Sequence, residues 1–455
     1  MRRIAEKHLE DWYASKKRKP LVLRGARQVG KSTLVRLFAQ KQKLRLVEVN
    51  FETENFKTLV QENLDVESFI LECEAKFKFE SGPKILLFLD EIQKSPKAFM
   101  LLRYFYELRP DIAVIAAGSL LEFIFDNKNI SVPVGRIEYL HIGPMSFVEF
   151  LWALGDEKLV HALNQKPGQL PVAYFDVLQK RVHEFMFVGG LPEAVAAYAD
   201  SQAHKKVRQI QENIYQTYIE DFPKYTRSAQ YEKIQQVYSR LPHFIGKKLK
   251  YSELMPDFQS SQIKPCLELL EKAGVIYRCF HSSAGDLSLV GTEDPRTFKC
   301  YDLDIGLLLA KLKIHFSDIM LLPQSNSPLK GFFYEQFVAQ HLAFMNKGIT
   351  KPSLHYWMRD KKNSAAEVDF LTHLSGQIVP IEVKSEKSGT LKSLNQFMGE
   401  KKKNLAFRFD ASERCLEKEN PKKISTFYYE HLSKKPVQFF LYQLHLSQVC
   451  ILDQI

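Results

Sequence analysis

The chain has 455 residues, 45% of them hydrophobic and 26% charged, and carries a formal net charge of +11. That length corresponds to about three domains, the composition is that of a soluble globular chain, and the absence of any apolar run near the roughly 20 residues of a membrane span excludes a membrane partner. Six cysteines (Cys73, Cys266, Cys279, Cys300, Cys415, Cys450) include no C-x-x-C pair, which excludes a zinc signature of that kind and suits reduced thiols in the cytoplasm.

The opening residues, Met1-Arg2-Arg3-Ile4-Ala5-Glu6-Lys7, run into charge rather than a signal-peptide core. The isoelectric point of about 9.1 permits nucleic-acid binding without establishing it. Lysine clusters at Lys16-Lys17-Arg18-Lys19, Lys247-Lys248, Lys401-Lys402-Lys403 and Lys422-Lys423 read equally as solvated surface.

In chain order, residues 2–15 have helical spacing, with Ile4, Leu9 and Trp12 available to one face. Leu21-Val22-Leu23 is a short buried strand. Gly25-Ala26-Arg27-Gln28-Val29-Gly30-Lys31-Ser32 then fits G-x-x-x-x-G-K-[ST] at every fixed position, and Thr33 to Phe38 is helical, the strand–loop–helix context the motif requires. Gly25 and Gly30 let the backbone curl its N–H groups around one anion at a helix start. Lys31 would reach the β- and γ-phosphates, and the Ser32 hydroxyl would ligate Mg²⁺.

Leu44 to Phe51 alternates as a second strand, and Val66 to Phe77 is a helix. Ile85 to Leu89 is an apolar strand, suited to a parallel sheet buried on both faces, and it ends in Asp90-Glu91. Asp90 would hold Mg²⁺ directly or through water. Glu91 is placed to orient and deprotonate the attacking water. A glutamate directly after the metal-binding aspartate marks the large ATPase branch with an additional central strand. Asn127-Lys128-Asn129-Ile130 lacks the aspartate of a guanine signature, so ATP is favoured over GTP. Pro96 to Leu108 is a helix begun by proline. Ile112 to Ala117 is a buried strand ending at Ser119, which would sense the γ-phosphate or position water, or else cap a helix. Arg136 precedes a last strand, Ile137 to Ile142; it would contact phosphate in the same chain, reach a neighbour's site as a finger, or lie on the surface.

The blocks Arg24 to Thr33, Leu89-Asp90-Glu91-Ile92-Gln93, Ala117-Gly118-Ser119, Gly135-Arg136 and Pro144-Met145-Ser146-Phe147-Val148-Glu149-Phe150 together resemble a prokaryotic family of AAA-type ATPases. In that family a C-terminal domain of unknown function resembles the PD-(D/E)xK nuclease fold. The resemblance covers nearly the whole chain. It implies nucleotide contacts along Gly25, Gln28, Val29, Gly30, Lys31, Ser32 and Thr33, catalytic roles for Lys31 and Glu91, and looser roles for Ser119 and Arg136.

Residues from Ser146 to about Tyr225 are helical, broken by a turn at Val188-Gly189-Gly190-Leu191-Pro192-Glu193, and would form a lid over the nucleotide. Tyr215, Tyr218, Asp221 and Phe222 within it read as core and cap. Helices at Tyr231 to Leu241, Tyr251 to Leu254 and Gln262 to Ala273, followed by strands at Val275 to Phe280 and Phe298 to Tyr301, look like a winged helix. Its exposed residues would be Gln259, Ser260, Ser261, Gln262 and Lys264, facing DNA or serving as interdomain packing.

Residues 313–330 read as a linker or surface loop. An α-β-β-β-α-β order follows, with edge strands at Val437 to Tyr442. Glu382 and Lys384 share one face of their strand while Ile381 and Val383 pack on the other. With Glu335 on the preceding helix and Asp369 on the neighbouring strand, they resemble the nuclease constellation. The resemblance implies Asp369 and Glu382 as ligands of a second Mg²⁺ or Mn²⁺, Glu335 as accessory acid, and Lys384 beside the attacking water. The opening proline is absent, and a structural ion pair of Lys384 with Glu382 or Asp369 is the competing reading. The expected fold class is therefore α/β: a P-loop NTPase parallel sheet over 1–145, a helical lid over 146–228, a winged helix over 229–312 and a C-terminal α/β nuclease-like domain over 313–455. The expected activity is ATP hydrolysis coupled to a DNA-binding and DNA-cleaving module, or to an inactive module that contacts a protein partner or a second copy of the chain.

Overall fold

A computed structural model describes all residues except 57, 60–64, 83, 120, 123–132, 164–173, 225, 227, 286–287, 325–328, 360–365, 375, 386–390, 411–421, 429–435 and 446–455. The guanine-signature test at Asn127 to Ile130 and the centre of the expected linker, 325–328, lie outside the described residues.

The N-terminal third is built on five parallel strands: β1 (Leu21–Arg24), β2 (Arg45–Asn50), β3 (Ile85–Asp90), β4 (Ala113–Gly118) and β5 (Glu138–His141), in the order β2-β3-β4-β1-β5. β4 lies between β1 and β3, so this is the additional-strand arrangement. Every residue of β3 and β4 is buried, and their apolar sequences account for that position. Each fully buried Leu, Ile or Phe adds about 1.5–3 kcal/mol. Four helices cover the faces: α1 (Ala5–Ala14), α2 (Lys31–Lys41), α3 (Val66–Phe77) and α4 (Pro96–Leu108). The Asp65 carboxylate caps α3, and Ser95 ahead of Pro96 caps α4.

The helical section comprises α5 (Phe147–Ala153), α6 (Glu157–Leu163), α7 (Phe175–Val188), α8 (Pro192–Ser201) and α9 (His204–Asp221). Ser146 and Glu149 form a capping box at α5. Then come α10 (Ser228–Arg240), α11 (Tyr251–Leu254) and α12 (Ser260–Lys272), the hairpin β6 (Ile276–Ser282) and β7 (Glu293–Asp302), and α13 (Ile305–Lys311). The expected linker carries a further short helix, α14 (Phe316–Met320), because the Phe316 ring stacks on His204 at 3.7 Å and Ile319 is buried.

The C-terminal part adds α15 (Leu329–Ala343), β8 (Leu354–Met358), β9 (Glu367–Leu374), β10 (Gln377–Lys384), α16 (Lys392–Lys401), β11 (Leu405–Asp410), β12 (Lys422–Tyr428) and β13 (Pro436–His445). Two findings differ from expectation. β6 and β7 pair with each other, but β6 also pairs in parallel with β8, so the hairpin is the end of one eight-stranded sheet ordered β12-β13-β11-β10-β9-β8-β6-β7. The division at 312/313 therefore runs across a single sheet. The strand expected at an edge, β13, is interior: it pairs in parallel with β11 and antiparallel with β12, which takes the edge.

Candidate ATPase site and the C-terminal acid cluster

In a parallel sheet all strands end on one edge, and the phosphate loop leaves β1 at that edge beside the ends of β3 and β4. Gly25 and Gly30 adopt φ of 145° and 90°. A Cβ at Gly25 would lie 2.0 Å from the Ile142 carbonyl oxygen, so only glycine lets the loop pass. The Lys31 ammonium, 8% exposed, donates to the carbonyls of Gly25 at 2.9 Å and Ala26 at 2.8 Å, inside the curl of the loop. Burial lowers its pKa to about 8, opposed by the nearby Glu91 and Asp90.

The Ser32 hydroxyl donates to Asp90 Oδ2 at 2.8 Å. A hydroxyl and a carboxylate oxygen so close are hard oxygen donors of the kind Mg²⁺ takes, so these residues fit the ion. Asp90 Oδ1 accepts from the Glu91 N–H at 3.0 Å, and Glu91 itself stands at φ 51° just beyond the strand. Its carboxylate accepts a hydrogen bond from the Gln93 side-chain amide. Ser119, at the end of β4, is buried, and its Oγ lies 3.4 Å from Arg27 Nε. Gln28 and Thr33 are exposed while Val29 is buried.

Arg136 is not brought to this group. It precedes β5, at the edge of the sheet opposite the phosphate loop, and its guanidinium pairs with Glu107 at 2.9 Å on the last turn of α4. Of its three readings this placement matches the surface one and does not give the phosphate contact within the chain, because strand polarity puts the residue before a parallel strand and the loop after one at opposite edges.

Three residues that sequence reasoning missed touch the loop. The Arg3 guanidinium is buried and donates to Val29 O at 2.9 Å, Gly143 O at 2.8 Å and Glu149 Oε1 at 2.9 Å. The Tyr218 hydroxyl donates to Arg27 O at 2.8 Å, and Asp221 lies 2.8 Å from Arg27 Nε. Tyr218 and Asp221 were expected as core and cap. Helical spacing identified their inward face but carried no information about what it faces. The start of α8 also approaches: a Cβ on Gly30 would lie 3.2 Å from Pro192 Cγ.

The second cluster lies on the eight-stranded sheet. Glu382, 4% exposed, pairs with Lys384, while Ile381 and Val383 are buried in the apolar core. Asp369 Oδ2 accepts from the Val383 N–H at 2.8 Å. Glu335 Oε2 accepts from the Tyr301 hydroxyl at 3.2 Å. Burial and then the Asp369 charge push both Glu335 and Glu382 up to about 8. Lys299, from β7, lies 2.5 Å from Glu367 and 3.9 Å from Glu335. Burial would lower its pKa, but Glu335, Glu367 and Asp369 outweigh that and raise it. Among the described residues no three His, Cys, Asp or Glu side chains converge to hold a metal ion. As placed, these acids do not fit the second Mg²⁺ or Mn²⁺ expected of Asp369, Glu382 and Glu335. Their nearest cationic partners are lysines.

The parallel sheet with β4 inserted, the curled loop, and a hydroxyl–carboxylate pair followed by a glutamate define a P-loop nucleotide hydrolase of the additional-strand class. Residues 17–151 match the AAA domain family, so this chain carries an AAA-type P-loop ATPase domain. Two families described only as domains of unknown function match residues 179–318 (DUF8612) and 330–428 (DUF4143). No curated protein matches the chain. Among solved structures it is similar to a Walker-type ATPase of Pyrococcus abyssi, at 16% identity and a TM-score of 0.43 over 68% of this chain and 94% of that one. It is also similar to the ORC1 protein of Aeropyrum pernix, solved in complex with DNA, at 11% identity and a TM-score of 0.27 over 68% and 91%. Cdc6p of Pyrobaculum aerophilum matches at 11% identity and a TM-score of 0.25 over 68% and 92%. Among the described residues no helix is long and apolar enough to cross a membrane.

Proposed function

We propose that this protein is a Mg²⁺-dependent ATP-hydrolysing switch that passes its nucleotide state to a DNA-binding surface on α12. Lys31 holds the β- and γ-phosphates, and Glu91 takes the proton of the attacking water. Ser32 and Asp90 hold Mg²⁺, which when bound draws charge from the phosphates. Ser119 and Arg27 line the γ-phosphate side.

One observation carries the coupling. Gly274, just beyond the end of α12, packs on the phosphate loop: a Cβ there would lie 3.4 Å from Ala26 N. The opposite end of α12 exposes Gln259, Ser260, Ser261, Gln262 and Lys264, while Ile263, Cys266, Leu267 and Leu270 are buried. A change in the loop therefore meets the same helix that offers a polar face of the size that enters a DNA groove. Of the two roles for the C-terminal sheet, the lysine-paired acids favour a module that does not cleave DNA.

Duplex binding measured against salt, with nucleotide-free protein and with ATP-loaded Glu91→Gln, tests this. A steep loss of affinity with salt and a difference between the two states are expected. Absence of binding at low salt would leave a nucleotide-dependent scaffold for a protein partner or a second copy of the chain.

A further inference from the structure

We infer that Lys299 is the resident cation of the C-terminal acid cluster, standing in for a divalent metal and keeping the cluster metal-free. The inference is independent of the nucleotide reading above and of DNA binding by α12, and it deepens the reading of the C-terminal sheet as a module that does not cleave DNA. It concerns a site on the other sheet and a lysine that arrives from the hairpin, before the segment that supplies the acids.

Each carboxylate around it has one oxygen engaged by a donor of the chain itself. Lys299 Nζ lies 2.5 Å from Glu367 Oε1 and 3.9 Å from Glu335 Oε2, and Tyr301 donates to the same Glu335 oxygen. Asp369 Oδ2 takes the Val383 N–H, and Lys384 takes Glu382 Oε1. The buried oxygen without a hydrogen-bond partner in this group is Glu382 Oε2.

Lys299 is also held in place. It is 1% exposed and sits in β7, paired through its backbone with Cys279 on one side and bridged to Lys248 on the other. Its ammonium lies 5.1 Å from the centre of the Tyr356 ring. An ammonium so deeply buried would be strongly destabilising without its acids. A divalent ion among those acids would face that fixed positive charge across a few ångströms of low-dielectric interior. The two cations exclude each other, and the covalently attached one prevails. The hairpin thus completes the cluster: β6 pairs with β8, which brings β7 and Lys299 into the sheet that carries the acids.

Mn²⁺ binding followed by electron paramagnetic resonance on the full chain without nucleotide tests this. Wild type should show no Mn²⁺ that Asp369→Asn removes. Lys299→Met, of similar length without the charge, should gain one bound Mn²⁺, lost again when Asp369→Asn is added. Lys299→Gln, which keeps a donor toward Glu367, should behave alike and serves if the methionine variant does not fold. A wild-type Mn²⁺ that disappears with Asp369→Asn overturns the inference, as does a folded Lys299 variant that gains none. Metal bound through Ser32 and Asp90 is unaffected by Asp369→Asn, so failure here leaves the ATPase reading standing, and failure of that reading leaves this one.

Discussion

Arg27, inside the phosphate loop, and Asp221, the last residue of α9, meet at 2.8 Å, with the Asp221 carboxylate 4% exposed. The Arg27 Nε hydrogen is directed at Ser119 Oγ, so the contact with Asp221 is one of charge. A second, weaker contact joins Arg27 to Glu52 at 3.8 Å, beyond β2. One guanidinium therefore joins the loop to the ends of β2 and β4 and to the helical section.

Asp221→Ala should loosen that junction and leave Arg27 with Ser119 and Glu52. A fall of about tenfold in kcat/KM for ATP, about 1.4 kcal/mol, is expected from steady-state kinetics. Tyr218→Phe, which removes one hydrogen bond to Arg27 O, should lower stability by about 1 kcal/mol in urea unfolding and change kcat/KM less. Equal effects of the two variants would remove Arg27 as the junction.

Lys31→Ala should abolish ATP binding, since its ammonium is the cation that fills the curl of the loop. Glu91→Gln should bind ATP as wild type does and hydrolyse it roughly 10²-fold or more slowly in single-turnover assays. Turnover of Glu91→Gln at the wild-type rate would reassign the base.

Arg136→Ala should leave ATP hydrolysis by the chain unchanged and alter stability by less than about 1 kcal/mol, as for an exposed ion pair. An activity loss that grows with protein concentration would instead mark Arg136 as a finger reaching a neighbouring copy.

His341 should make stability fall in acid. Its Nε2 accepts the Phe147 N–H at 2.9 Å and its Nδ1 faces Phe337 O at 2.7 Å, which requires the neutral ring with the proton on Nδ1. Burial lowers its pKa to about 4 from an ordinary 6.5. The folded value lies below the unfolded one, so this contribution is complete above about pH 6.5 and is lost as pH falls toward 4. It amounts to at most about 3 kcal/mol. Melting temperature against pH should fall less steeply over that range in His341→Gln than in wild type; parallel curves would show that His341 does not titrate there.

Much of the ATPase third was legible beforehand because its signals are local. The two glycines, Lys31 and Ser32 sit within one loop, Asp90-Glu91 ends a strand whose burial on both faces is written in Ile85 to Leu89, and the helix begun by Pro96 follows directly. The C-terminal α-β-β-β-α-β order was equally local. The readings of Arg136 stayed open beforehand because proximity to a strand in sequence does not say at which edge of the sheet it falls. The contacts of Arg3, Tyr218 and Asp221 with the loop were not legible because their partners lie 26, 191 and 194 positions away along the chain.

The sequence by itself determined the chemistry available at the phosphate loop, since the residue types and spacing that bind a triphosphate are contiguous. It also determined which strand carries Glu382 and Lys384. The tertiary structure alone decided what those groups meet: β6 joining β8 carries Lys299 into the acids, and the end of α9 carries Asp221 to Arg27. Such pairings depend on strand partners and helix docking across long stretches of chain, which local periodicity does not encode.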